Sequence, residues 1–376
     1  MQRNEGMTMT GKERVLLALN LKEPDRVPVW EQAYNEPSIV GIARHFVDPA
    51  ALPEPKFILD MTPEEVFRLI GGMIAFIKAL DLEGTTAVST APRERLDRDH
   101  LRDAFGIVYH IAGNVGEPYP VAGPIQEPSD LSRYRMREPA EGDYTMLKVL
   151  RQALPETAIA WHSPATFKIA WGLRGSIQQY LMDYLLEPDL AQALARLATD
   201  YCIENITRAL GLGADFVILE GDLAHNPGPL MSPKHYCEFI QPYHAEICAA
   251  AHKLGKKIVK HSDGNLTPLL PHLLDAGFDG IHPIQPQCMD IAETKRTLAG
   301  RACVLGNIDC AFLLPFGSEA EVEAAVKETI AKAAPAGGYI LSSSNSIHPG
   351  CKPENYLAMV RAARKWGTYP IAVAKP

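Results

Sequence analysis

The stretch Lys257-Ile-Val-Lys-His-Ser-Asp-Gly-Asn265 decides the fold, because strand-like residues run without a break into residues that do chemistry. Upstream, Phe216-Val-Ile-Leu219 ends in the same manner in Glu220-Gly-Asp222. The pattern recurs at Val29-Trp30 before Glu31-Gln32, and at Ala158-Ile-Ala-Trp161 before His162-Ser163. It recurs again at Val304-Leu305-Gly306 before Asn307-Ile-Asp309, and at Tyr339-Ile-Leu341 before Ser342-Ser-Ser-Asn345. Strands are read at 26–30, 85–89, 157–162, 215–220, 257–261, 280–283, 302–307 and 338–342. Between them lie amphipathic helices, for example over 188–212, where Leu190, Leu194, Leu197 and Ile203 follow a helical repeat; the segments 233–254 and 319–334 behave alike. Strands alternating with helices imply parallel pairing, and eight of them predict closure into a (β/α)8 TIM barrel. Thr10 and Glu13 have the spacing of a capping box, opening a first helix that Pro24 ends. The irregular segment 91–141, with a possible hairpin strand at 105–111, is read as an insertion near the barrel mouth, within a single catalytic domain over 1–376.

At 376 residues, 47% hydrophobic and 22% charged, the chain is long enough for such a barrel and ordinary in composition. A formal net charge of −8 argues against nucleic acid or an anionic membrane as the main partner. No apolar run approaches the roughly 20 residues needed to span a bilayer, and residues 1–11 are polar, without the apolar centre of a signal peptide. Seven cysteines, odd in number and with no CxxC pair, fit a reduced cytoplasmic protein. The Gly211-x-Gly213 and Gly337-Gly338 pairs do not continue as GxGxxG, so no nucleotide site is expected, and the lack of GxSxG counts against an α/β-hydrolase.

In barrels, catalysis takes place at the C-terminal ends of the strands. Asp, Ser and Asn there also serve as helix caps, so Ser342–Ser344, Asn345 and Asp309 have a structural reading beside a functional one. His261 and Glu220 are poor caps. Residues two apart at a strand end point the same way, so Glu220-x-Asp222 and His261-x-Asp263 can each address one site. One imidazole and two carboxylates make a plausible zinc shell with an open position; a hydrogen-bonded network without metal is the alternative. His282 lines the mouth or packs in the core, and His225, His235 and His244 are read as structural.

Thr10-Gly-Lys-Glu-Arg-Val-Leu-Leu-Ala-Leu-Asn20 followed by Glu23-Pro-Asp-Arg-Val-Pro-Val29 resembles the opening of the uroporphyrinogen decarboxylase superfamily. His261-Ser-Asp-Gly-Asn265, Gly306-Asn-Ile-Asp309 and Gly337-Gly-Tyr-Ile-Leu-Ser-Ser-Ser-Asn345 extend the resemblance to the C-terminus. True uroporphyrinogen decarboxylases carry Arg-Gln-Ala-Gly-Arg after the first strand; here Trp30-Glu-Gln-Ala-Tyr-Asn-Glu-Pro37 has two acids and no arginine, which would repel a polycarboxylate. The other branch holds methyltransferases that exchange methyl groups with a corrinoid protein. Its thiol-specific members bind zinc through His-x-Cys and a later Cys. His261 matches that histidine, but Asp263 stands at the first cysteine and Ser344-Asn345-Ser346 near the second.

The resemblance therefore implies an O-demethylase-type methyltransferase acting on a methoxyaromatic or other methyl ether, since a harder, oxygen-rich site suits an oxygen ligand. Zinc on His261, Glu220 and Asp263 would activate the leaving group, with Glu220, Asp222 and His261 catalytic. Trp30, Glu31, Trp161, His162, Asn265, Asn307, Asp309 and Asn345 are the candidates to bind substrate. The partners implied are a separate corrinoid-binding protein and a second copy of the chain in a homodimer. A decarboxylase for a smaller substrate, with Asp222 or Asp263 as proton donor and no metal, is the alternative; a regulatory barrel is the third.

Overall fold

The computed structural model describes residues 9–111, 118–298 and 300–371. The polar N-terminal reading thus falls mainly on residues outside this range, as does part of the 91–141 segment.

Seven parallel strands form one sheet in chain order: β1 (Gly84–Ala87), β2 (Ala158–Pro164), β3 (Phe216–Glu220), β4 (Lys257–His261), β5 (Gly280–His282), β6 (Cys303–Leu305) and β7 (Tyr339–Ile340). The expected first strand, 26–30, is reduced to isolated bridges, yet it closes the barrel. Trp30 N–H donates to Leu341 O and Leu341 N–H to Pro28 O on one side, while Gly84 N–H donates to Val29 O on the other. Pro24 and Pro28 lack N–H donors, which explains why the ladder here is interrupted. The fold is the expected barrel.

Alternation along the strands makes two cores. Trp30, Ala158, Ala160, Phe216, Ile218, Val259, Cys303, Leu305 and Ile340 fill the inside. Helix α1 (Gly11–Leu19) joins them through Val15, Ala18 and Leu19 and so plugs the bottom. Thr10 and Glu13 form the anticipated capping box. The opposite faces of the strands, with Val217, Leu219, Ile258, Ile281 and Val304, pack against the helices.

Two expectations need correction. The helix read over 233–254 is two, Pro233–Phe239 and Gln241–Lys253, because Pro242 has no N–H to continue the first. The 105–111 strand is the short Val108–His110, third of a four-stranded antiparallel sheet inserted between β1 and β2. No helix among the described residues is long and apolar enough to cross a membrane.

Candidate active site

Parallel register sets the site. His261 on β4 pairs with Glu220 on β3 and with His282 on β5. These three side chains therefore form one inward-facing tier above the apolar filling. Beyond the tier the chain turns at Gly264, whose φ is +84° and where a Cβ would come within 2.6 Å of the His225 backbone, so only glycine fits. The loops after β3 and β4 are stitched together at this turn. Asp263 N–H donates to Asp222 Oδ1 at 2.9 Å, and Leu223 N–H donates to Ser262 Oγ at 2.9 Å.

Ligand-capable atoms of Asp222, His261 and Asp263 lie within 4.8 Å of one another. Asn345 Nδ2 donates to Asp263 Oδ2 at 2.5 Å, while Asp263 Oδ1 faces His261 Nε2 at 3.9 Å. Each aspartate is thus steadied through one oxygen. Burial, with His282 and Lys260 nearby, holds the His261 imidazole well below its usual pKa and keeps it neutral. Burial and the neighbouring Glu220 raise the pKa of Asp222, although this carboxylate reaches solvent at the open mouth. A tetrahedral zinc with bonds of about 2.0–2.1 Å needs donors ~3.3 Å apart, a short inward movement of these side chains. A neutral imidazole, two restrained carboxylates and an accessible side fit such an ion.

Glu220 does not belong to that trio. Its Oε1 accepts from Lys168 Nζ at 2.7 Å. Burial would raise its pKa, but Lys168, His162 and Lys260 outweigh this and hold it below the ordinary value. Of the expected metal set, His261 and Asp263 lie in this cluster with Asp222, whereas Glu220 is engaged by the Lys168 ammonium and stands apart from it. Glu220 instead forms, with His162 and Lys168, one wall of a cavity of ≈570 Å³ between the barrel and the inserted sheet.

The other expected residues divide. His162 lines the cavity, with its pKa lowered by burial, and Asn345 holds Asp263. Trp161 is corrected: because His162 points in, Trp161 points out and packs on Tyr144 with ring centroids 5.0 Å apart. Trp30 is fully buried inside the barrel against Phe216 and His282, at 5.9 and 5.2 Å. Glu31 is buried too. It accepts from Ser343 Oγ at 2.6 Å and from Ser343 N–H, and burial pushes its pKa up to about 8. Three more residues have partners within the protein. Asn265 caps Thr267 N–H, Asn307 donates to Ile284 O at 2.8 Å, and Asp309 accepts from Ala311 N–H and Gln287.

Three residues escape sequence reasoning or were left open by it. Lys168 sits on a helix far from the motifs it serves. His282 contacts His261, Nδ1 to Nδ1, at 2.7 Å. Lys260 is fully buried on the outer face of β4 and donates to the carbonyls of Leu219, Gly221 and His261, so it ties both motif-bearing strand ends together. Its signal was a lysine in a strand position that alternation gives to an apolar residue.

A barrel with an open mouth lined by an imidazole and carboxylates defines an enzyme-type site. Comparison with known proteins then gives the family. The uroporphyrinogen decarboxylase (URO-D) model matches residues 100–366, and the chain belongs to this family. A uroporphyrinogen decarboxylase of Coxiella burnetii is 23% identical over 94% of this chain and 95% of its own. A methylcobamide:CoM methyltransferase, MtaA, of Methanosarcina barkeri is 26% identical over 94% of this chain and 97% of its own. A methyltransferase structure from Methanosarcina mazei covers 95% of this chain and 99% of its own at TM-score 0.71 and 21% identity, which bears out the fold. The family thus includes decarboxylases and methyltransferases, and the methyltransferase relatives support the corrinoid-dependent branch.

Proposed function

We propose that this protein is a methyltransferase that moves a methyl group from a small methyl ether, a methoxylated aromatic, to the cobalt of a corrinoid carried by a separate protein. The observation that carries the reading is the Asp222–His261–Asp263 cluster at an open mouth, beside a cavity walled by aromatic side chains. The methylcobamide methyltransferase relative supports the chemistry.

Within this reading, Asp222, His261 and Asp263 would hold a zinc ion, which would supply a Lewis acid for the ether oxygen, whose leaving charge is otherwise too basic to depart. The chain's own residues prepare that position. The reading requires the tautomer in which His261 Nδ1 donates to His282 Nδ1, 2.7 Å away, which leaves the Nε2 lone pair toward Asp263. Asn345 and the Asp263 N–H orient the two carboxylates. Lys168 keeps Glu220 ionised and away from them. Asp222 is exposed at the mouth, which would leave this side of the cluster open to a methyl acceptor carried by a partner protein.

A decarboxylase could use the raised pKa of Asp222 for proton delivery. Against this, the cavity offers a polycarboxylate only Arg93 and Lys168 among the described residues, and Lys168 is engaged by Glu220. The free thiols of all seven cysteines agree with a reducing compartment, and a homodimer belongs to the same reading.

The test is incubation with reduced corrinoid protein and a panel of methoxyaromatics, followed by absorbance. Methylation of the cobalt is the expected result. No cobalt methylation from any donor, together with carbon dioxide release from a carboxylated substrate, would replace this reading with decarboxylation.

A further inference from the structure

The cavity beneath the inserted sheet contains charged groups whose partners are unevenly shared. Asp103 accepts from Phe105 N–H at 2.8 Å, Ile107 N–H at 3.0 Å and Tyr109 OH at 2.9 Å. Glu36 accepts from Ile58 N–H at 3.2 Å, and Glu220 is taken by Lys168. Burial raises the pKa of both Asp103 and Glu36, and the positive charge of nearby Arg93 opposes that rise only in part. Arg93 lines the same cavity, yet has no hydrogen bond or ion pair with any described residue. Around it stand Phe57, Phe105, Tyr109, Tyr119, Trp171 and Tyr201.

We infer that Arg93 is a specificity-determining residue that takes the carboxylate of an aromatic monocarboxylic acid whose ring lies between these aromatic walls. The guanidinium fork matches a carboxylate through two parallel hydrogen bonds, and a walled cavity strengthens them by excluding water. Offset or edge contacts suit an aromatic ring in such a slot. A second carboxylate would meet Asp103, Glu36 or Glu220, which limits the acid to one. A cationic ring would be repelled by Arg93 and find the acids already satisfied. The methyl ether on that ring rests on the function proposed above; the carboxylate assignment rests on the cavity alone.

Binding distinguishes the two. Affinities of 4-methoxybenzoate and its neutral isostere 4-methoxybenzamide are measured by calorimetry for wild type, Arg93→Gln and Arg93→Lys. The wild type should bind the benzoate about tenfold or more tighter than the benzamide, a charge-assisted pair's worth. Arg93→Gln should remove that difference while leaving benzamide binding unchanged, and Arg93→Lys should restore part of it. Equal wild-type affinity for the two ligands, or equal loss of both in Arg93→Gln, would overturn the inference. If the benzoate discrimination holds while no methyl reaches cobalt, the methyl transfer reading fails and this one stands.

Discussion

The two ends of the barrel treat charge in opposite ways. At the bottom, three acids just before the strands, Glu83 and Asp215 buried and Asp279 partly so, are engaged by cations. Glu83 receives Arg26 at 2.7 Å, Arg364 at 2.9 Å and the Val29 N–H at 2.9 Å. Asp215 pairs with Lys12 and Arg151 and accepts from the Ile159 N–H. Asp279 repeats the plan with His252, Lys257 and the Ile258 N–H. Each acid pins one strand to its neighbour. At the mouth, Asp222 and Asp263 lie beside a neutral histidine, and the Glu31 carboxyl accepts from the hydroxyl and the N–H of Ser343. Cation-paired acids hold the barrel shut at the bottom. At the mouth, apart from Glu220 on Lys168, the acids sit beside a neutral imidazole or, as with Glu31, hold a proton in the folded state, and this is the end where barrels take their ligands.

The largest expected effect tests the bottom. Glu83→Gln leaves Arg26 and Arg364 around a neutral group and should destabilise the fold by about 3 kcal/mol. Denaturant unfolding reads this, and the folded fraction should keep its turnover. At the mouth the balance reverses. Asp263→Asn is isosteric and should change stability by less than about 1 kcal/mol, while lowering kcat/KM more than about 100-fold. A large stability loss with preserved turnover would erase the distinction.

A third effect comes from Glu31. Its folded pKa of about 8 lies above the ordinary 4.5, so between these values the folded state holds a proton that the unfolded chain has lost. Stability should therefore fall as pH rises from about 4.5 to 8. Glu31→Gln keeps an acceptor for Ser343 and should flatten that slope in unfolding curves taken across this range. The smallest effect is at Trp161. Trp161→Phe should lower stability by about 1–2 kcal/mol through lost packing on Tyr144 and leave KM unchanged.

The barrel was legible because each strand carries its own polarity change, as at 216–222 and 257–265. Its closure was less so, since Val29 completes the barrel through isolated bridges and no ladder of its own. Within the site, the two-residue spacing correctly brought His261 and Asp263 together. It failed at Glu220 and Asp222, because the strand ends at Glu220 and the chain then turns, so one acid faces the cavity and the other the metal-competent cluster. Trp161 shows the converse: a polar neighbour at a strand end says nothing about which face its predecessor takes until the inward register is known. Lys168 depends on helix placement, which no local pattern carries, and Lys260 shows locally only as a break in strand alternation, while its partners lie across strands.

The most direct test of the mouth as a metal-assisted site is a zinc titration by calorimetry on the chelator-treated protein. One equivalent should bind to the wild type and to Glu220→Gln, and none to Asp263→Asn or His261→Ala. No stoichiometric binding to the wild type, or binding that survives in Asp263→Asn and vanishes in Glu220→Gln, would contradict the account.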